Sequence, residues 1–372
     1  MKVPFFNYPA LFEQHKVEYT RVINDVLARG AFILQDELKE FETNLAAYLD
    51  TSYVLGVGNC TDGLLLSFKA ADIGYGDEVI FCSHTFVATA SAIYQTGATP
   101  VPVECGPDHL IDIDSIESAI TTKTKAIVPT QLNGQVCDMD SIMKICSKNS
   151  LILIEDSAQS LGAKYKGKSA GTFGIAGVFS FYPAKNLGCF GDGGSIVTND
   201  EQLYDEILLT RNHGRSISSE VIKWGMNSRL DNLQAAILNF KLSKYSLEIE
   251  RRREIASLYN IGLSQVSELI LPSAPNSDLN KYEVFQNYEI EVKKPEDRES
   301  LRDYLKGKGI KTILQWGGKA VHEFEGLGFK VSLPFTEALM KRAFLLPMNT
   351  SLTNHQIEYI IIEINKYFGY AK

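Results

Sequence analysis

Lys185 stands in the run Ser180-Phe-Tyr-Pro-Ala-Lys185-Asn-Leu-Gly. About thirty positions upstream, Asp156 closes the apolar run Leu151-Ile-Leu-Ile-Glu-Asp, and Gln159 follows three residues later. A lysine amine can form a Schiff base with an aldehyde. An aspartate at the end of a buried strand can hold a ring nitrogen in its protonated form, because a carboxylate at ion-pair distance favours the neighbouring cation. These are the two groups a pyridoxal phosphate site requires: the ring withdraws electrons only while it is protonated, and the amine anchors it. Once freed, the same amine can carry a proton. That role needs it partly neutral near pH 7, and burial beside a cationic cofactor depresses a lysine pKa.

A rival motif lies between them. Gly162-Ala-Lys-Tyr-Lys-Gly-Lys-Ser169 fits the phosphate-binding pattern G-x-x-x-x-G-K-[ST] letter for letter. That loop works only where a strand ends at its first glycine and a helix starts at its Lys-Ser end. Here the apolar run ends about seven residues early, and Ala-Gly-Thr-Phe-Gly-Ile-Ala-Gly follows Ser169. Glycine costs about 1 kcal/mol in a helix interior, so no helix is expected there. Tyr165-Lys-Gly-Lys168 reads instead as a hairpin turn with Gly167 at its tight position.

The elements that must position the lysine and the aspartate show in the hydrophobic rhythm. The first fifty residues read as helix. From Tyr53, short β-rich runs (YVLGVG, EVIFC, TPVPV, KAIVPT, LILIE) alternate with helical patterns. That alternation predicts an α/β fold with a largely parallel, helix-covered sheet, whose ligands sit at the carboxyl ends of the strands. A long helical segment is expected from about residue 229 to 263. Beyond it, YEVFQNYEIEV reads as a strand, RESLRDYLKGKG as a helix, and a last amphipathic helix starts at Asn354. We expect a large cofactor-binding domain over 1–245 and a small α+β domain over 246–372.

Composition removes other classes. The 372 residues are 45% hydrophobic with net charge −8, and the longest basic run is Arg251-Arg252-Arg253, interleaved with glutamates. A nucleic-acid binder would need a basic stripe. No apolar run approaches the ~20 residues that span a bilayer. The N-terminal stretch lacks the apolar core of a signal peptide, and six scattered cysteines without C-x-x-C read as reduced thiols, so a cytoplasmic setting is expected. The histidines lack metal-ligand spacing, and no metal is expected.

With these pieces assembled, the sequence resembles the DegT/StrS family of sugar aminotransferases, of the aspartate aminotransferase fold (fold type I). The likeness runs over nearly the whole chain. It passes through Gly30-Ala-Phe-Ile33, Asn59-Cys-Thr-Asp62, Gly76-Asp-Glu-Val79, Thr85-Phe86, Glu155-Asp156 with Gln159, Ser180-Phe181 with Lys185, Gly191-Asp-Gly-Gly194 and Gly225-Met-Asn-Ser-Arg229. The resemblance implies Lys185 as the Schiff-base lysine, Asp156 as partner of the pyridine nitrogen and Gln159 as donor to the ring's phenolate oxygen. Phe86 would stack on the ring. Cys60 and Thr61, opening a helix after a strand, would meet the phosphate together with Ser180. Asn227 would come from the neighbouring subunit, which implies a homodimer with shared active sites. Arg229, His322 and Trp316 are candidates on the substrate side. The chain departs from the pattern at Cys60, where relatives usually have Gly. It departs again at Ile313-Leu-Gln-Trp316-Gly-Gly, where several relatives offer a His-Tyr pair.

A lysine rather than the histidine of the related dehydratases implies a transaminase. L-Glutamate would give its amine to the cofactor, and a nucleotide-linked keto sugar would receive it, in ping-pong order. Asp192 within Gly191-Asp-Gly-Gly194 resembles members that aminate C-3, which points to a dTDP-linked 3-keto-6-deoxyhexose. A UDP-linked 3-keto uronic acid, amination at C-4, or a non-catalytic sensor on the same fold are the alternatives. One expectation needs no substrate identity: Lys168, the lookalike of a phosphate-binding lysine, is predicted to be solvent-exposed. Lys168→Ala should leave turnover within about twofold of the parent, as surface substitutions generally do; a folded Lys168→Ala protein without activity would contradict the hairpin reading.

Overall fold

The computed structural model describes residues 1–370. Three helices come first: Tyr8–Glu13, Lys16–Arg29 and Asp36–Leu49. The strands of the main sheet are β1 (Tyr53–Val57), β2 (Glu78–Cys82), β3 (Thr99–Val103), β4 (Thr124–Val128) and β5 (Ile152–Asp156). A small hairpin, β6 (Lys164–Tyr165) and β7 (Lys168–Ser169), precedes β8 (Ala176–Ser180) and β9 (Gly194–Thr198). The seven-stranded sheet runs β1-β9-β8-β5-β4-β2-β3, and β9 alone is antiparallel to its neighbours.

Alternation along each strand feeds two apolar layers. Val54, Ile80, Ile127, Leu153, Phe179 and Val197 face one side, and Leu55, Val79, Val128, Ile154, Val178 and Ile196 the other. Helices cover both faces, so the sheet carries the mainly apolar runs that the sequence shows. The C-terminal part builds a second sheet from β10 (Leu269–Ile270), β12 (Tyr288–Val292) and β13 (Ala343–Leu346), while β11 (Lys281–Tyr282) pairs with β6. Helices Tyr245–Leu263, Pro295–Gly307 and Asn354–Tyr367 pack on that sheet. Val3 joins this core and bridges to Ile310. Among the described residues, no helix is long and apolar enough to cross a membrane.

The GAKYKGKS stretch is a hairpin. Lys166 and Gly167 have φ of 50° and 80°, the pair of left-handed residues that a two-residue type I′ turn needs. Lys168 is exposed, its amine 4.8 Å above the Phe173 ring. The glycine-rich run that follows does cradle an anion, but the anion is the chain's own Glu155. Its carboxylate accepts from the amides of Gly171 (2.8 Å), Phe173 (2.6 Å) and Gly174 (3.1 Å) and from Gln131 Nε2 (2.8 Å).

Two expected elements differ. The helix over 229–263 is two helices, Asn232–Leu242 and Tyr245–Leu263. The break falls where the Lys244 amide turns to the Lys241 carbonyl and Lys244 adopts φ −116°. The strand YEVFQNYEIEV is interrupted: only Lys281–Tyr282 and Tyr288–Val292 pair, and the segment between them leaves the sheet.

Gly194 sets how closely β9 approaches the β1 exit. A Cβ there would lie 2.7 Å from the Asn59 carbonyl carbon and 2.8 Å from the Cys60 nitrogen, both backbone. Gly194→Ala should therefore destabilise the fold by about 1–3 kcal/mol, the usual cost of overpacking. Urea unfolding measures this, and an unchanged midpoint would show that the strand end can yield.

Candidate active site

Five of the parallel strands deliver polar residues to one cavity of about 390 Å³. β1 leads to Asn59, Cys60 and Thr61, β2 to Thr85 and Phe86, and β4 to Thr130. β5 ends in Asp156 with Gln159 beyond it, and β8 ends in Ser180 and leads to Lys185. This is the carboxyl edge where a parallel sheet places ligands. The C-terminal part closes the cavity with Gln286, Asn287, Gln315 and Trp316.

The helix after β1 is Cys60–Ala70, capped by Asn59. Thus Thr61 is its second residue rather than its opening one. The Asn59 side chain accepts from the Asp62 amide at 2.8 Å, and its carbonyl accepts from the Gly63 amide. The amides of Cys60 and Thr61, at the first turn, have no intrahelical carbonyl to bond. They and the positive end of the helix suit a phosphate at the cavity wall.

Asp156 is buried, with only 4% of its surface exposed. Its Oδ2 accepts from Thr89 Oγ1 at 2.6 Å and its Oδ1 from the Ala158 amide at 3.2 Å. Thr89 is held in turn by Thr85, and Thr85 by Thr130. Burial pushes the Asp156 carboxyl up, while these donors and the charge of Lys185 pull it back down. A buried carboxylate in this state calls for a cation beside it. Burial also depresses the Lys185 amine, against the opposing pull of Cys60 and Asp156. The Cys60 thiol is pushed well up by burial and by Asp156, so it stays neutral. The Cys60 side chain packs toward the Val178 carbonyl.

Gln159 presents its nitrogen. Its Oε1 already accepts from the Asn133 amide (2.9 Å) and from Asn287 Nδ2 (3.3 Å), leaving Nε2 as the free donor. Phe86 is half exposed at the cavity wall, and its ring lies 5.5 Å from that of Trp316. A pair of free helix amides, a buried acid, a buried amine and an oriented amide donor together fit pyridoxal phosphate.

Two expected positions, His322 and Arg229, lie outside the lining of this chain's cavity. His322 does not line the cavity: it is buried, with Nδ1 2.7 Å from Ser83 Oγ and Nε2 3.4 Å from Glu337. Those partners satisfy the ring, so it ties the loop after residue 320 to the β2 exit. Arg229 also lies outside the lining, donating to Asn212 Oδ1 at 2.9 Å. Asn227 is exposed and absent from the lining of its own chain's cavity. Sequence reasoning missed Gln286, Asn287 and Gln315. The first two had a signal, since two adjacent amides interrupt an otherwise β-rich run.

Fold and site define a pyridoxal-phosphate enzyme in which a strand-end aspartate and a lysine loop converge. The chain belongs to the DegT/DnrJ/EryC1/StrS aminotransferase family, whose model matches residues 13–365. The cofactor is pyridoxal phosphate, and a solved structure from Bacillus subtilis at 29% identity and TM-score 0.91 holds bound cofactor PMP. The dTDP-3-amino-3,6-dideoxy-alpha-D-galactopyranose transaminase of Aneurinibacillus thermoaerophilus is 39% identical over 376 residues, covering 99% of this chain and 100% of that one. A pleiotropic regulatory protein of Geobacillus stearothermophilus is also 39% identical, over 374 residues and 99% of each chain. The crystal structure of S. venezuelae DesV in complex with a ketimine intermediate superposes with TM-score 0.93 at 35% identity, covering 99% of this chain and 98% of that one.

Behind the site, Asn133 Nδ2 donates to Glu289 Oε2 (2.8 Å), which also meets His109 Nδ1 at 2.8 Å; His109 Nε2 lies 3.1 Å from Glu291. Burial would lower the His109 pKa, but the two carboxylates outweigh it and hold it at about 10. With the folded value raised above the ordinary 6.5, this charge stabilises the fold fully below pH 6.5, and the contribution is lost as pH rises through about 10. Wild-type stability minus that of His109→Gln should therefore shrink between those limits. Urea unfolding at a series of pH values tests this, and parallel curves would refute a charged His109.

Proposed function

We propose that this chain transfers an amino group from L-glutamate to C-3 of a dTDP-linked 3-keto-6-deoxyhexose, as a cytoplasmic homodimer. The observation that carries the reading is the convergence of Lys185 and Asp156 on one cavity walled by Thr61, Gln159 and Ser180. In support, curated relatives of nearly full coverage carry dTDP-amino-sugar transaminase names.

Pyridoxal phosphate, when bound, supplies an aldehyde and an electron-withdrawing ring. The remaining work falls to the chain. The Cys60 and Thr61 amides, with the hydroxyls of Thr61 and Ser180, hold the phosphate. Asp156 would keep the ring nitrogen protonated, and Thr89 fixes the Asp156 carboxylate through its hydroxyl. Gln159 Nε2 would donate to the ring oxygen, and Phe86 would cover the ring face. Lys185 Nζ would hold the cofactor covalently and, when released, would serve as the proton-carrying base of the site. Its depressed pKa suits it to both, because the neutral amine is the base. The partner subunit's Asn227 completes the phosphate site. Trp316 closes the mouth on the sugar side.

A regulatory reading draws support from the G. stearothermophilus relative's name. It does not need a buried, reactive lysine, which favours the enzyme. The test is direct. Purified protein with pyridoxal phosphate, glutamate and a panel of dTDP- and UDP-linked 3-keto and 4-keto sugars is assayed by mass spectrometry. We expect a dTDP-3-amino product and none from Lys185→Ala. A product aminated only at C-4, or only from UDP-linked acceptors, would overturn the substrate assignment. A wild-type protein that never attaches the cofactor would overturn the enzyme itself.

A further inference from the structure

Lys185 sits in a stretch without regular structure, residues 181–193 between β8 and β9. Its own amide bonds only back to the Tyr182 carbonyl (2.8 Å). A loop of this kind would leave the amine poorly aimed, since each unfixed residue retains roughly 1–2 kcal/mol of conformational freedom. The loop is nevertheless gripped from outside. Gln286 Nε2 donates to the Ala184 carbonyl at 2.8 Å, and Gln286 Oε1 accepts from the Asn186 amide at 2.9 Å. One side-chain amide thus closes on the peptide groups immediately before and after the lysine. Asn186 returns the grip, its Nδ2 donating to the Val284 carbonyl at 3.2 Å.

The gripping segment is itself fixed. Arg252, buried, donates through Nη1 to the carbonyls of Phe285 and Gln286 (3.3 Å each) and of Met348 (3.0 Å). The Val284 amide donates to the Gly134 carbonyl at 2.9 Å. Gly134 has no substitute there, because a Cβ would lie 2.5 Å from the Phe285 nitrogen and 2.6 Å from that of Gln286. Phe285 is held at φ 46°, a left-handed conformation that a bulky residue adopts only where its surroundings impose it. Next in the chain, Asn287 Nδ2 reaches Gln159 Oε1 and Asn133 Oδ1.

We propose that Gln286 is a positioning residue for Lys185: its amide clamps the loop on both sides of the lysine and so presets the amine for covalent attachment. The inference rests on the pyridoxal phosphate reading of the site. It places the aim of the lysine under the control of a C-terminal segment about a hundred residues away in sequence. It also explains why Asn186 follows Lys185, since that residue supplies both the amide the clamp grips and the side chain that grips back.

The two cofactor forms separate aim from fit. Pyridoxal phosphate bonds to Lys185, whereas pyridoxamine 5′-phosphate cannot. In Gln286→Leu, which keeps volume and removes both bonds, attachment of pyridoxal phosphate to Lys185 should weaken about tenfold, the worth of a hydrogen bond or two. Attachment is read by borohydride trapping and intact mass. Affinity for pyridoxamine 5′-phosphate, by calorimetry, should stay within about twofold. Gln286→Glu adds a second readout. Ionised, its carboxylate can accept from Asn186 but repels the Ala184 carbonyl; protonated, it can make both bonds. Its attachment defect relative to wild type should therefore be large at high pH and shrink as pH falls, and this variant also serves if Gln286→Leu does not fold. Equal losses for both cofactor forms, or no loss for either, would overturn the proposal. A wild type that binds neither form would instead overturn the functional reading beneath it.

Discussion

A carboxylate at the closed end of a buried strand is the constraint from which much of the molecule follows. Asp156 ends β5 near the middle of the sheet, where water cannot solvate it. Burying an ionised group without partners costs several kcal/mol or drives it to take up a proton. The fold answers with a relay of hydroxyls. Thr89 donates to Asp156 and is linked through Thr85 to Thr130, so the ends of β2, β4 and β5 are tied through one charge. Lys185 contributes a cation, and that contribution is incomplete because burial also weakens the lysine's own charge. A mismatched pair of this kind is poor for stability and good for catalysis. The acid is left short of positive charge, and the amine is left with a depressed pKa.

The second dependence is on the C-terminal part of the chain. The sheet alone delivers Asp156, Thr61 and Ser180, each at the end of a strand or the start of a helix, where backbone geometry fixes it. It does not fix Lys185 or Gln159, which lie in loops. Those two are fixed by the segment Val284–Asn287, through Gln286 to the lysine loop and through Asn287 to the glutamine. Behind them, Asn133 joins Gln159 to Glu289 of β12 and so to the charge cluster with His109 and Glu291. The aim of the reactive groups is therefore set by packing between the two parts of the chain, and disturbance far from the cavity can reach it.

This division explains what the sequence could and could not reveal. Strand ends are legible: an apolar run closed by Asp156, or one followed by Asn59-Cys-Thr61, marks both the element and the place where a polar residue must meet a ligand. Gly167 beside Lys166 was legible as a hairpin because a two-residue turn restricts which residues can serve. Gln286, Asn287 and Gln315 were hidden because amides are ordinary surface residues until tertiary structure aims them. His322 and Arg229 show the opposite case. The resemblance suggested a substrate role, but Ser83 and Glu337 occupy the His322 ring, and Arg229, bonded to Asn212 through Nη1 with its Nε buried and unpaired, lies outside the cavity lining of its own chain. Residue type names what a group can do; only its unoccupied bonds show what it is free to do.

The same criterion illuminates the P-loop lookalike. Gly162–Ser169 has the letters of a phosphate cradle, and the glycines after it do turn their amides inward. Those amides are spent on Glu155, one residue before Asp156. Adjacent carboxylates on one strand thus point to opposite faces, as strand geometry requires, and meet opposite fates. Glu155 is fully satisfied by backbone and by Gln131, and it locks the glycine-rich turn that leads into β8. Asp156 is left short of positive charge. A motif match could not separate the two, because both are acids beside glycines and apolar residues. Counting donors separates them at once: the acid with four donors builds the scaffold, and the acid with two is where chemistry can begin.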